Sequence, residues 1–254
     1  MLREYLIICP LVFIAGFIDA VAGGGGLISL PAYFLTGIPV HSCVATNKMS
    51  AFMGTSVTTA KFAKDGYIPW KTAVFCIPCA FLGSAIGANA ALMIPDTVFK
   101  IVLIVIIPLT GILILTKKDI LSPKRSFLER TTVVICALSS LLIGVYDGFY
   151  GPGTGTFLLL MLAGVAGMEL TRANGLTKAV NFSTNLSALV VFLAKDQVIL
   201  PLGITAGLFN IAGNYIGATR FEKNGAKIVK PVMIAVLTVF FIKLVVEWAT
   251  GAGV

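Results

Sequence analysis

The chain has 254 residues, 57% of them hydrophobic and only 12% charged, with a formal net charge of +8. A soluble globular domain carries roughly 25% charged residues, so the water-facing surface of such a domain is missing and the composition places the chain among polytopic membrane proteins. The excess positive charge lies mostly in short loops between apolar runs, where it reports topology and not nucleic-acid binding.

Ten apolar stretches follow in chain order. Five lie near 5–22, 26–38, 43–63, 70–93 and 97–116, and five near 131–149, 155–167, 172–194, 198–219 and 228–249. The end of the first, Ala20-Val21-Ala22, resembles a signal-peptidase site, but the run contains Asp19 and returns as a second copy from about Thr131, so it reads as a retained segment. The five cysteines lie in or beside apolar segments. Cys76 and Cys79 have redox-motif spacing without the surrounding βαβ pattern, and buried thiols acting as small hydrophobes account for all five.

A polar pattern interrupts the apolar runs twice. GFIDAVAGGGG (Gly16 to Gly26) is followed by ATNKMSAFMGTS (Ala45 to Ser56), and GVYDGFYGPGTG (Gly144 to Gly155) by NGLTKAVNFSTN (Asn174 to Asn185). Asp19 thereby matches Asp147, Lys48 matches Lys178, and Gly83-x3-Gly87 matches Gly213-x3-Gly217, about 130 residues apart. Charged residues and broken helices are costly in lipid, so their duplication points to a symmetric site at a repeat interface. Segments two and seven hold only about 13 residues, roughly 20 Å of helix against a 30 Å hydrocarbon core. Each follows a glycine break, as in a hairpin whose tip is buried in protein; two full spans are the alternative.

The basic loops at Lys61 to Lys71, Lys117 to Arg130 and Arg220 to Lys230 are cytoplasmic by the positive-inside rule. That assignment needs an odd number of crossings per half, which inverts the second half and leaves both termini outside. The expected fold is therefore an all-α polytopic membrane protein of two inverted-topology repeats. Residues 1–116 form the N-terminal repeat, 117–130 a cytoplasmic linker and 131–254 the C-terminal repeat, together one integral membrane domain.

Glycine allows close backbone approach, and a helix N-terminus offers unpaired N–H donors with partial positive charge, a combination that suits an anion. This makes Gly24, Gly25, Gly26, Gly151, Gly153 and Thr154 candidate ligands, with tight packing of the tips as the alternative. Lys48 and Lys178, near the starts of segments three and eight, either bind an anionic substrate or neutralise Asp19 and Asp147. Thr46, Asn47, Thr177 and Asn181 complete the candidate binding set, against the simpler reading of helix–helix hydrogen bonds. Asp19 and Asp147 are either helix-end carboxylates or proton carriers. His41, the only histidine, is expected in an exposed turn after Pro39, without companions for a metal site.

From Gly16 through Pro31, and again at Ala45-Thr-Asn-Lys48, the chain resembles the TauE/SafE sulfite exporter family, in particular its bacterial inner-membrane branch. The similarity runs over essentially the whole chain, with a looser second copy at Gly151-Pro-Gly153, Thr177-Lys178 and Asn181. The resemblance implies a permease in the bacterial inner membrane for a small anion, often sulfite, sulfoacetate or another organosulfonate, with neither cofactor nor catalysis. Its partners would be that anion, the lipid bilayer and, if Asp19 or Asp147 titrates, H+. Homo-oligomerisation is left open. An intramembrane enzyme would need a nucleophile with a base or a metal, and a substrate-free structural protein would have no use for duplicated buried lysines.

Overall fold

The computed structural model describes residues 2–99, 101, 102, 105, 109 and 128–220. Among these the chain is entirely helical. In the first half, α1 spans Leu2–Ala22, α2 Gly26–Phe34, α3 Val40–Lys64 and α4 Trp70–Leu92. In the second, α5 spans Glu129–Phe149, α6 Thr154–Leu159, α7 Leu170–Leu193 and α8 Leu200–Arg220. A π-helical stretch, Leu160–Val165, continues α6. Residues 96–99 begin a further helical stretch after Pro95. Segment ten, most of segment five, and all but the last three residues of the 117–130 linker lie outside the described residues, as do Lys223, Lys227 and Lys230.

The helices match the apolar runs closely. Those at Leu2–Val21, Trp70–Leu92, Glu129–Phe149 and Leu170–Leu193 are each long and apolar enough to cross a bilayer. The nine residues of α2 reach only about 14 Å, shorter still than its apolar run suggests. The chain there turns back instead of spanning. At the corresponding place α6 and its π continuation are also short.

The two halves pack reciprocally. Helix α1 lies against α8, and α4 against α5, so the first long helix of each half packs on the fourth helix of the other. Helices α3 and α7 lie against one another inside this frame, with α3 also packed on α8 and α7 on α4. Small residues permit the close crossings, as expected where lipid offers no hydrophobic drive for association. Gly83 and Gly87 face the backbone of α5 at Leu141 and Val145, while Gly144 and Gly148 face Ala80 and Ser84 of α4. On the other side, Gly213 and Gly217 face Phe13 and Phe17 of α1. Buried serines then tie the backbones together: Ser84 Oγ donates to the Thr184 carbonyl at 2.7 Å and Ser187 Oγ to the Phe81 carbonyl at 2.6 Å.

His41 departs from the sequence expectation. Helix α3 begins at Val40, one residue after Pro39, so His41 lies in its first turn, and it is only 9% exposed. Its Nε2 donates to the Ala91 carbonyl at 2.9 Å, Nδ1 meets Asp96 Oδ1, and the ring stacks on Phe99 with centroids 4.7 Å apart. These partners lie 50 or more residues away in sequence, which is why local turn chemistry misplaces it. Cys9, Cys43, Cys76 and Cys136 are buried free thiols, as expected, and Cys79 is half-buried.

The α4–α5 crossing depends on backbone contact without side chains between, and a Cβ on Gly144 would already lie 2.7 Å from the Ala80 carbonyl oxygen. Gly144→Leu is therefore expected to destabilise the protein by at least the ~1–3 kcal/mol typical of overpacking, lowering the melting temperature in detergent. A Gly144→Leu variant that melts with the wild type would contradict this packing account.

Candidate functional site

The glycine breaks bring the two halves into backbone contact. Gly23, at φ 71°, abuts Gly155: a Cβ on Gly155 would stand 2.6 Å from the Gly23 carbonyl oxygen, and one on Gly26 would stand 2.9 Å from Pro152 Cα. Between these tips and the middle of α3 and α7 lies a cavity of about 40 Å³. Of the predicted site residues, Asp19, Gly25, Gly26, Asn47, Lys48, Asp147, Gly151, Gly153, Thr154 and Asn181 line it. Gly24, Thr46, Thr177 and Lys178 are not part of its wall. Thr46 has a packing role, its Oγ1 accepting the Ile199 N–H at 3.1 Å just before α8.

The two lysines stand at equivalent places, each eight residues beyond the first residue of its helix, α3 or α7. Both are essentially sealed from water, at 2% and 1% exposure. Each reaches across to the other half, to the C-terminal end of the helix preceding the glycine break. A cation is favourable there, because the last turn of a helix carries free carbonyls and partial negative charge. The positive N-termini of their own helices are distant, since α3 and α7 begin more than two turns earlier.

Their partners differ. Lys48 Nζ lies 2.8 Å from Asp147 Oδ2 in an ion pair buried on both sides, a charge contact outside hydrogen-bond alignment. Lys178 Nζ instead donates to the main-chain carbonyl of Asp19, which also accepts the Gly23 N–H at 2.9 Å. The Asp19 carboxylate is left with a buried Oδ2 that has no hydrogen-bond partner, and Asn47 Oδ1 and Thr177 Oγ1 are in the same condition. Buried polar atoms are nearly always paired, so the two of these on the cavity wall, the acceptors Asp19 Oδ2 and Asn47 Oδ1, mark it as a candidate site.

Thr154 completes the Asp147 end. Its hydroxyl lies 2.7 Å from Asp147 Oδ1 and 2.6 Å from the Gly151 carbonyl oxygen. Gly151, at φ 100°, also keeps the backbone clear of the ammonium, since a Cβ there would fall 2.9 Å from Lys48 Nζ.

Sequence reasoning leaves Asn210 out of the site. It lies on α8, lines the same cavity as Asn185, and is 5% exposed. The available cue was a second pair of asparagines four residues apart, 210 and 214, echoing 181 and 185.

Residues 8–244 match the family described as Sulfite exporter TauE/SafE. The chain belongs to the TauE/SafE family. It is 33% identical over 236 residues to a probable membrane transporter protein, ORF9, of a Sinorhizobium species, covering 92% of this chain and 90% of that one. It is 31% identical over 239 residues to a probable membrane transporter protein of Haemophilus influenzae, with 92% of each chain covered. To the probable membrane transporter protein YfcA of Escherichia coli it is 28% identical over 238 residues, covering 92% of this chain and 87% of that one. No solved structure matches the chain. Membership in TauE/SafE makes this a multi-pass membrane transporter, in keeping with its apolar helices.

The buried ion pair allows a direct test. Lys48→Ala should leave Asp147 as an uncompensated buried charge, a change that typically costs about 3–5 kcal/mol. The melting temperature in detergent is expected to fall in Lys48→Ala and to recover in the Lys48→Ala, Asp147→Asn double variant. Equal melting of all three proteins would show that the pair is not held as a charge pair.

Proposed function

We propose that this protein is a proton-coupled secondary transporter of a small oxyanion, sulfite or an organosulfonate being the chemistry that fits. The anion would bind between the glycine tips, with Lys48 as its counter-charge. The observation that carries this reading is the Lys48–Asp147 pair, both members 2–3% exposed and on the wall of the cavity. An ammonium held by a single carboxylate beside open backbone can exchange that carboxylate for a substrate anion.

Charge balance favours the proton. Counted formally, Asp19 and Asp147 contribute two negative charges and Lys48 and Lys178 two positive ones, which sum to zero. Adding an anion leaves one excess negative charge away from water, at a cost of several kcal/mol. A proton taken up by the displaced Asp147 removes that excess. Thr154 suits both states. It donates to an ionised Asp147, and it turns its hydrogen to the Gly151 carbonyl and accepts from a protonated Asp147.

The frame for alternating access would be two inverted repeats, residues 1–116 and 131–254, rocking about the tips. The reciprocal packing of α1 on α8 and α4 on α5, and the crossed lysine contacts between halves, support that arrangement. Such a repeat interface is where transporter sites form, at broken helices that tolerate irregular backbone.

The decisive experiment is flux into liposomes containing purified protein, with radiolabelled sulfite and sulfoacetate, against protein-free liposomes. Uptake above the control, stimulated when the outside is made more acidic than the lumen, is expected. Absence of flux for every anion offered, from protein shown to be folded, would overturn the proposal.

A further inference from the structure

Two asparagine pairs with the same internal wiring converge on the cavity. On α7, Asn185 Nδ2 donates to the Asn181 main-chain oxygen at 2.8 Å and lies 3.3 Å from Asn181 Oδ1. On α8, Asn214 Nδ2 donates to the Asn210 main-chain oxygen at 3.1 Å and to Asn210 Oδ1 at 2.6 Å. A main-chain oxygen can only accept, so the nitrogens of Asn185 and Asn214 must be the atoms facing it. With a nitrogen there, the atom it meets on Asn181 or Asn210 must be the carboxamide oxygen. Thr58 locks the second pair from behind, its Oγ1 donating to Asn214 Oδ1 at 2.6 Å.

The consequence lies in the atoms left over. With their oxygens engaged, Asn181 and Asn210 each retain an N–H2 group that donates to no protein atom among the described residues, and both side chains line the cavity at 6% and 5% exposure. The surrounding helices are hollowed to hold the α8 pair. A Cβ on Gly16 of α1 would stand 2.7 Å from Asn210 Oδ1, and Gly54 of α3 faces the same two amides. Helix packing alone does not require them, because Ala80 and Ser84 of α4 occupy the places 130 residues earlier.

We infer that Asn181 and Asn210 are the paired amide donors to the transported anion, held in donor orientation by Asn185, and by Asn214 and Thr58, as positioning residues. This rests on the anion-transport reading above and refines it. Lys48 comes from the first half, whereas both fixed amide donors come from the second, so the site is asymmetric although the backbone motif is duplicated. Two neutral N–H2 groups on the same cavity wall as the Lys48 ammonium suit a substrate with several acceptor oxygens.

The test measures radiolabelled sulfite binding and melting temperature for detergent-purified wild type and four variants. Asn210→Asp keeps the acceptor for Asn214 but buries a new carboxylate, so it should melt below the wild type and bind sulfite at least about tenfold more weakly. Asn210→Ser, which adds no charge, should also weaken binding severalfold. Thr58→Val, away from the cavity, should weaken binding by releasing the relay, and Thr58→Ser should restore it. If Asn210→Asp does not fold, the Thr58 pair decides. Wild-type affinity in Asn210→Ser, or in Thr58→Val, would overturn the inference and leave the transport reading standing. A wild type that binds neither sulfite nor sulfoacetate would overturn both.

Discussion

An ammonium and a carboxylate, both sealed from water, join the two halves of this protein at Lys48 and Asp147. Neither charge is tolerable alone in a low-dielectric interior, so the lysine of the first half must meet the carboxylate of the second. That requirement fixes the register of α3 against the end of α5, and the matching contact of Lys178 with the end of α1 fixes α7 in the same way. The glycine breaks follow from this constraint. A lysine can reach the terminal turn of the opposite helix only if the chain beyond that turn carries no side chain in the way, as at Gly151. The two tips then meet backbone to backbone at Gly23 and Gly155.

The surrounding helices hold this centre without hydrophobic drive. Glycines on α4, α5 and α8 let main chains touch, and serine hydroxyls bond across to carbonyls of neighbouring helices. The apolar side chains of α4 and α5 that face outward, among them Phe75, Leu82, Leu138 and Leu142, are exposed and suited to lipid. The polarity of the protein is thereby concentrated inside, around α3 and α7, which is the reverse of a soluble fold and the arrangement a transport pathway needs.

Much of this is legible in the sequence because lipid is a demanding solvent. Every apolar run that lies within the described residues forms a helix near its expected bounds, and Lys48, Lys178 and Asp147 of the duplicated motif are buried. Their pairing across halves is not legible, since spacing along the chain says nothing about which lysine meets which aspartate. The difference between Lys48, on a carboxylate, and Lys178, on a carbonyl, also depends on side-chain direction that a duplicated motif conceals. Asn210 and Asn214 go unnoticed for a related reason: asparagine on a membrane helix reads as interhelical glue, and only the observed wiring separates the atoms that hold the fold from those left free. His41 fails differently, because its burial comes from Asp96 and Phe99, remote in sequence.

In the proposed exchange an incoming anion takes Lys48 from Asp147 and the released carboxylate takes a proton. Proton uptake on anion binding tests that exchange most directly. In weakly buffered detergent solution, addition to the wild type of methanesulfonate, a monoanion that stays ionised at neutral pH, should remove protons from solution in proportion to the anion bound. Asp147→Asn should bind the anion with no uptake. Saturable anion binding by the wild type with no proton uptake, or uptake undiminished in Asp147→Asn, would contradict the account.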